Sequence, residues 1–218
     1  MKILKDVVEN YPGFKIPDSH FRLGSKIHIS DFYFAKRIFQ NGFFASRFAF
    51  LITREIIDLY DGSKDKFKED GITLFGYGLY SDLLLSLVKK FLKKQWNDIR
   101  INHNLINDSE NLEIVKGYEK VNSNVFIIVP IASTFSTSIK IEQKLRSIDV
   151  VKRILSPHIN VLLISNSDEK KLIRYTPLLT KMGWSPGGVN TAQRIITVNT
   201  FSNTILDTPA RDDQTETR

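Results

Sequence analysis

The sequence predicts an α/β fold, a mostly parallel β-sheet flanked by helices. Two observations carry this. Val125-Phe126-Ile127-Ile128-Val129 and Val161-Leu162-Leu163-Ile164 are continuous apolar runs, the composition of strands buried on both faces of a parallel sheet. Segments whose apolar residues recur every three or four positions lie between and before them, which is the helical period. Strands alternating with helices imply a parallel sheet with right-handed crossovers. A chain of 218 residues suits one buried core, because single cores stop growing near about 250 to 300 residues. Residues 1–206 are therefore expected to form one domain. The tail from Asp207 to Arg218 has no apolar residue beyond Pro209 and Ala210 and is expected to be mobile.

In chain order, residues 14 to 34 alternate polar and apolar positions around Pro17 and Gly24 and read as strand and loop. From Ala35 the spacing of Phe44, Phe48, Leu51, Ile52, Ile56 and Leu59 predicts one apolar helix face. Asp61 to Asp70 is polar around Gly62 and reads as a surface loop. Gly71-Ile72-Thr73-Leu74-Phe75-Gly76 predicts a strand, and Tyr77-Gly78-Leu79-Tyr80-Ser81 a turn. Ser81 is suited to cap the next helix, whose stripe is Leu84, Leu85, Val88, Phe91 and Leu92. Ile99 to Ile101 predicts a short strand, and Asn102 to Asn111 a loop. Val125 to Val129 is expected to be central, with Pro130 to Ser138 leading into a helix that turns Ile141, Leu145 and Ile148 inward. Val161 to Ile164 and Arg194 to Val198 complete the sheet, and no internal repeat is present.

The composition narrows the function. Cysteine is absent, which excludes disulfides, thiolate metal sites and a cysteine nucleophile and fits a reducing cytoplasm. The start, Met1-Lys2-Ile3-Leu4-Lys5-Asp6, carries no signal-peptide pattern, and nowhere do about 18 apolar residues run together. Neither secretion nor a membrane span is expected. A net charge of +7 invites a nucleic-acid reading, but the basic residues are dispersed. The densest group, Lys89, Lys90, Lys93 and Lys94, sits near an expected helix C-terminus, where cations meet the helix dipole favourably. A solvated face is the better reading. His20, His28, His103 and His158 are scattered without metal-ligand spacing.

In open parallel sheets ligands bind beyond the carboxyl ends of the strands, which selects the segments after Phe75 and after Val129. Ser133, Thr134, Ser136, Thr137 and Ser138 make the second rich in hydroxyls at a helix start, where backbone N–H groups and the dipole favour an anion. Helix capping by Thr137 or Ser138 alone would use one hydroxyl, so phosphate binding and simple capping stand side by side here. Gly76 and Gly78 by themselves serve the turn as readily as a ligand.

The order of these pieces resembles the type I phosphoribosyltransferases. Phe21-Arg22-Leu23-Gly24-Ser25-Lys26-Ile27-His28-Ile29-Ser30-Asp31-Phe32-Tyr33-Phe34 is similar to an N-terminal segment of orotate phosphoribosyltransferases, with the glycine and lysine displaced and Asp31 in place of a proline. The resemblance covers about residues 20 to 170 and implies a small N-terminal hood over about residues 1–34. It makes Gly76, Tyr77, Gly78, Tyr80 and Ser81 the pyrophosphate loop. It also makes Ser133, Thr134, Ser136, Thr137 and Ser138 the phosphate cradle. Lys26, Asn166 and Asp168 become contacts for a base or a second phosphate.

The family hallmark is a strand ending in an acidic pair, then two residues, Thr-Thr-Gly, one residue and Thr. Without gaps, Pro130 and Ile131 fall on the acids, Thr134 on the first threonine, Phe135 on the second, Ser136 on the glycine and Ser138 on the last threonine. The hydroxyls largely remain and the acids are gone. Pro130-Ile131-Ala132-Ser133-Thr134 is most similar to the loop of divergent phosphoribosyltransferase-like domains of bacterial conflict and defence systems.

The resemblance therefore implies a module that binds a nucleotide or phosphoribosyl compound with weak or absent transfer. Mg²⁺ would enter only with a pyrophosphate-containing ligand, and a homodimer is the default. An active transferase drawing on Asp31, Asp82 or Asp168 is one alternative. A ligand-free protein-interaction domain is the other, and exposed aromatics between Phe32 and Phe50 would favour it.

Overall fold

Short antiparallel ladders open the chain in the computed structural model, which describes residues 7–8, 10–18, 20–22, 28–107, 114, 120–132, 136–166, 195–203 and 205–206. Strand β1 (Lys15–Ile16) pairs with β4 (Phe32–Tyr33), and β2 (Phe21–Arg22) pairs with β3 (His28–Ile29). The helix expected from Ala35 is two helices, α1 (Ala35–Phe39) and α2 (Gly42–Tyr60). The break is caused by Asn41, whose side chain accepts from the N–H groups of Phe43 and Phe44 at 3.0 and 3.4 Å and so starts a new helix. On α2, Phe44, Phe48, Ile52 and Ile56 are buried as the spacing predicts, and Leu51 is half-buried.

Asp61 to Asp70 is not a loop. It forms a 3₁₀ turn (Asp61–Ser63) and helix α3 (Lys64–Asp70), anchored by one buried side chain, Phe67, packed 5.7 Å from the Trp96 ring. One apolar residue in seven gives no readable period, so the polarity around it masked the helix.

Strand β5 (Ile72–Tyr77) follows, then a 3₁₀ turn (Leu79–Ser81) and α4 (Asp82–Gln95), which buries Leu84, Leu85, Val88 and Leu92 and half-buries Phe91. Lys93 and Lys94 do lie in its last turn. Strand β6 (Ile101–Ile106) overturns the loop expected from Asn102 and moves the strand expected at Ile99 to Ile101 downstream. It is an edge strand, which tolerates polar residues, and Asn102 donates to the carbonyl of Lys120 at 2.6 Å.

Strand β7 (Asn124–Ala132) continues past Val129 through Pro130, Ile131 and Ala132, which the sequence assigned to a loop. Its neighbour β8 (Arg153–Asn166) is also longer than expected, and the pairs Ile131↔Leu162 and Ala132↔Leu163 hold the extension in the sheet. Between them, α5 (Ser136–Arg146) buries Ile141 and Leu145. Strand β9 (Ile195–Asn203) outlasts the predicted Val198, and Arg194 lies outside the described residues. The final pair, β10 (Ile205–Leu206), joins β3. Residues 207–218 also lie outside the described residues.

The main sheet is fully parallel, ordered β6-β5-β7-β8-β9. Successive side chains of a strand point to opposite faces, and the core divides accordingly. Ile72, Leu74, Phe126 and Ile128 join the residues of α2 and α4 on one face, while Phe75, Val125, Ile127 and Val129 pack with Ile141 and Leu145 on the other. Register is pinned at the amino edge by buried asparagines. Asn122 donates to the Ile72 carbonyl and Asn124 to that of Gly71, each at 2.8 Å. Among the described residues no helix is long and apolar enough to cross a membrane.

Candidate functional site

The strand order reverses direction between β5 and β7, for the chain lays β6 outside β5 and β8 outside β7. Such a switch point opens a crevice at the carboxyl edge, flanked by the two loops that leave it in opposite directions. Gly76 is registered with Ile128, so β5 ends one residue beyond that pair and β7 four beyond it. The surplus of three residues carries β7 roughly 10 Å farther. Pro130 is buried one position past the last residue of β5, where its missing N–H costs no bond to that strand.

The first loop is held from within. Gly78 stands at φ +77°, its N–H donating to the carbonyl of Ile106 at 2.9 Å. Ser81 is fully buried, but it does not cap α4 as the sequence suggested. Its φ and ψ of −84° and −3° are helical, whereas a cap needs extended backbone. The hydroxyl instead turns back on the loop, 2.7 Å from the Tyr77 carbonyl and 2.6 Å from that of Gly78. A Cβ on Gly76 would stand 2.5 Å from Leu85 Cδ1 and 3.0 Å from Ser81 Oγ, so the glycine is required by packing of strand on helix. Tyr77 and Tyr80 are half-buried and Leu79 is exposed. This part of the site is a rigid frame.

The second loop is short because β7 runs on to Ala132 and α5 begins at Ser136. Ser136, Thr137 and Ser138 form the first turn of α5 and are inside the helix, not before it. Their backbone N–H groups therefore include the ones a helix leaves unpaired. Ser133 and Thr134 lie outside the described residues, as do Lys26 and Asp168. Asn166 is the last residue of β8, registered with Asn203, at the same carboxyl edge. No Asp or Glu occurs between Asn124 and Ile141, so neither the end of β7 nor the start of α5 offers a carboxylate.

Two of the three acids considered as replacements have side-chain partners among the described residues. Asp31 pairs with Lys15 at 3.0 Å. Asp82, the first residue of α4, faces Nε2 of His103 at 3.3 Å. Sequence reading missed this last pair because it assigned His103 to a loop, and only the β6 ladder brings it beside α4. Among the described residues no group of three or more His, Cys, Asp or Glu is placed to hold a metal ion.

No protein-family model and no curated protein sequence matches the chain. Solved structures do. Orotate phosphoribosyltransferase of Mycobacterium tuberculosis H37Rv, in complex with inorganic phosphate, superposes with a TM-score of 0.54 at 12% identity, over 91% of this chain and 94% of that one. The orotate phosphoribosyltransferase of Aeropyrum pernix gives 0.51 at 13% identity, over 90% and 93%. At such identities the likeness speaks for the fold, and the fold is that of the type I phosphoribosyltransferases.

Proposed function

We propose that the chain is a phosphoribosyltransferase-like module that binds a nucleotide or phosphoribosyl compound through a degenerate phosphate loop, with weak or absent transfer. One observation carries the reading: at the switch point of a parallel sheet, β7 closes with Pro130, Ile131 and Ala132, where the family has its acidic pair, and leads to a helix whose first turn is Ser136, Thr137 and Ser138. Unpaired N–H groups and hydroxyls suit phosphate oxygens. The side chains of proline and isoleucine offer no oxygen to ribose hydroxyls or Mg²⁺. Losing a preorganised group at a transition state costs about 3 kcal/mol, or a hundredfold in rate, so transfer suffers far more than binding.

Ser133, Thr134, Ser136, Thr137 and Ser138 hold the phosphate in this reading. The loop of Gly76, Tyr77, Gly78, Tyr80 and Ser81 lines the other side, with Ser81 as its internal brace, and Lys26, Asn166 or Asp168 meets the base or a second phosphate. Residues 1–206 act as one unit with the hood at 1–34, supported by the pairing of β10 with β3. A defence-system role rests on the resemblance of Pro130-Ile131-Ala132-Ser133-Thr134, a homodimer follows from the resemblance to the family, and a cytoplasmic location rests on the cysteine-free composition.

Titration of nucleoside monophosphates into the protein and its Thr134→Val variant tests the cradle. One hydrogen bond to a charged group is worth about 1.5 to 3 kcal/mol, so the variant is expected to bind about ten- to a hundredfold more weakly. Equal affinities would remove Thr134 from the site. The Asp82–His103 pair favours one other reading, a working transferase with an acid recruited from α4. That reading requires pyrophosphate release that disappears in Thr134→Val.

A further inference from the structure

Helix α2 is apolar on two sides. The buried stripe of Phe44, Phe48, Ile52 and Ile56 faces the sheet, yet Phe43 and Phe50, seven residues apart, stand on the outside, and Ile57 follows after seven more, half-buried against the core. Phe43 and Phe50 are 57% and 56% exposed, while Phe39, Phe44 and Phe48 are buried. Isolated exposed aromatics need no explanation, but a seven-residue repeat defines a straight seam along a helix.

Beside this seam, α2 and α4 leave a groove of about 430 Å³ with Phe50, Ile57 and Phe91 as its apolar walls. Thr53, only 4% exposed, lines it, and among the described residues its hydroxyl has no hydrogen-bond partner. A helical threonine commonly satisfies itself on the carbonyl four residues back. Thr53 makes no such bond, which leaves a buried polar atom unsatisfied in the wall of the groove.

The rim is basic. Arg54 and Lys94 stand on opposite sides against one acid, Asp58, whose bridge to Arg54 is 3.6 Å long between exposed side chains and therefore weak. Arg47 extends the basic edge, its guanidinium 5.5 Å from the Phe43 ring centre. A second copy of the chain would set Arg54 and Lys94 against the same two cations across a two-fold axis, with Asp58 as the one acid on each side and already shared with Arg54. An acidic partner would not. Helix α4 leaves the carboxyl edge at Asp82, so Phe91 and Lys94 lie toward the opposite edge, away from the candidate phosphate loops.

We infer that the α2–α4 groove docks an amphipathic helix of another protein, one whose apolar face is flanked by carboxylates. The apolar face covers Phe50 and Phe91, the carboxylates meet Arg54 and Lys94, and Thr53 gains a polar partner.

The probe is a synthetic amphipathic helix with leucines on one face and glutamates on both flanks, beside a control carrying lysines for the glutamates. Anisotropy titrations use the intact protein without nucleotide, so the result is separable from the phosphate reading. The glutamate peptide is expected to bind and the lysine peptide not. Phe50→Ala is expected to weaken binding by about tenfold or more. Arg54→Glu combined with Lys94→Glu is expected to reverse the preference. Thr53→Val is expected to raise the melting temperature of the free protein, since an unpaired hydroxyl is removed, while weakening the peptide. A purely structural threonine would show only the first change. Equal binding of both peptides, binding of neither, a preference that survives charge reversal, or a dimer dissolved by Phe50→Arg would each overturn the proposal.

Discussion

Gly78 holds the turn after β5 at φ +77°, and a Cβ there would stand 2.5 Å from Cε1 of Tyr80. A non-glycine residue in such a conformation costs about 1 to 3 kcal/mol. Gly78→Ala is therefore expected to lower the urea-unfolding free energy by that amount, and an unchanged midpoint would contradict the strained turn. Ser81 belongs to the same frame, and Ser81→Ala is expected to cost about 1 kcal/mol through the loss of its bond to the loop carbonyls. Sequence reading found both residues and misassigned one. Ser81 precedes a helix, which is all a cap requires on paper, whereas its helical torsions and its contact with Tyr77 and Gly78 exist only once the strand and helix are packed.

Helix α3 shows why some elements were legible and others not. Strands β5 and β7 were visible because burial on both faces demands continuous apolar residues. In α3 one residue, Phe67, meets the core, so nothing distinguished it from a loop, and Phe67→Ala is expected to cost about 3 to 5 kcal/mol by thermal unfolding. Likewise β6 carries Asn102, His103 and Asn104 in an edge strand, where polar residues are permitted, and the sequence read them as loop.

Charges then clamp α3 to the turn after α4, with Lys68 3.0 Å from Asp65 and 3.1 Å from Asp98. Hydrogen bonding, first to Asp65 and then to Asp98, raises the Lys68 pKa, and the bond from Lys68 holds the Asp98 carboxyl below its ordinary value. The signs fix the window. A depressed carboxylate contributes above its unfolded value and loses the contribution as pH falls through the folded one. A raised lysine contributes below its unfolded value and loses it at alkaline pH. Asp98→Asn is thus expected to be less stable than the parent at neutral pH and indistinguishable from it near about pH 2. A difference persisting in acid would contradict the clamp. High salt is expected to shrink the effect, because both groups are exposed.

At the scale of the whole molecule, parallel strands, a switch point at β5 and β7, and helices on both faces concentrate two loops at one edge of the sheet. Sequence alone pointed to that edge, because strands alternating with helices imply a parallel sheet and ligands of parallel sheets lie beyond the carboxyl ends of the strands, but the strand order itself came only with the structure. It did not reveal how far β7 extends, since Pro130 ends most strands and survives here only where β5 has already stopped. The groove between α2 and α4 was equally hidden, because Phe91 fits an ordinary helix stripe, Phe50 falls outside the predicted stripe of its own helix, and the two are distant in sequence.

The central claim is retention of phosphate binding without the acids that act on ribose. Calorimetric titration of phosphoribosyl pyrophosphate with and without Mg²⁺, with pyrophosphate release followed in the same samples, tests it most directly. Binding, whether or not Mg²⁺ accompanies the pyrophosphate, with no pyrophosphate released in the presence of candidate bases, is the expected result. Absence of binding in both conditions, or binding that requires Mg²⁺ and proceeds to turnover, would contradict it.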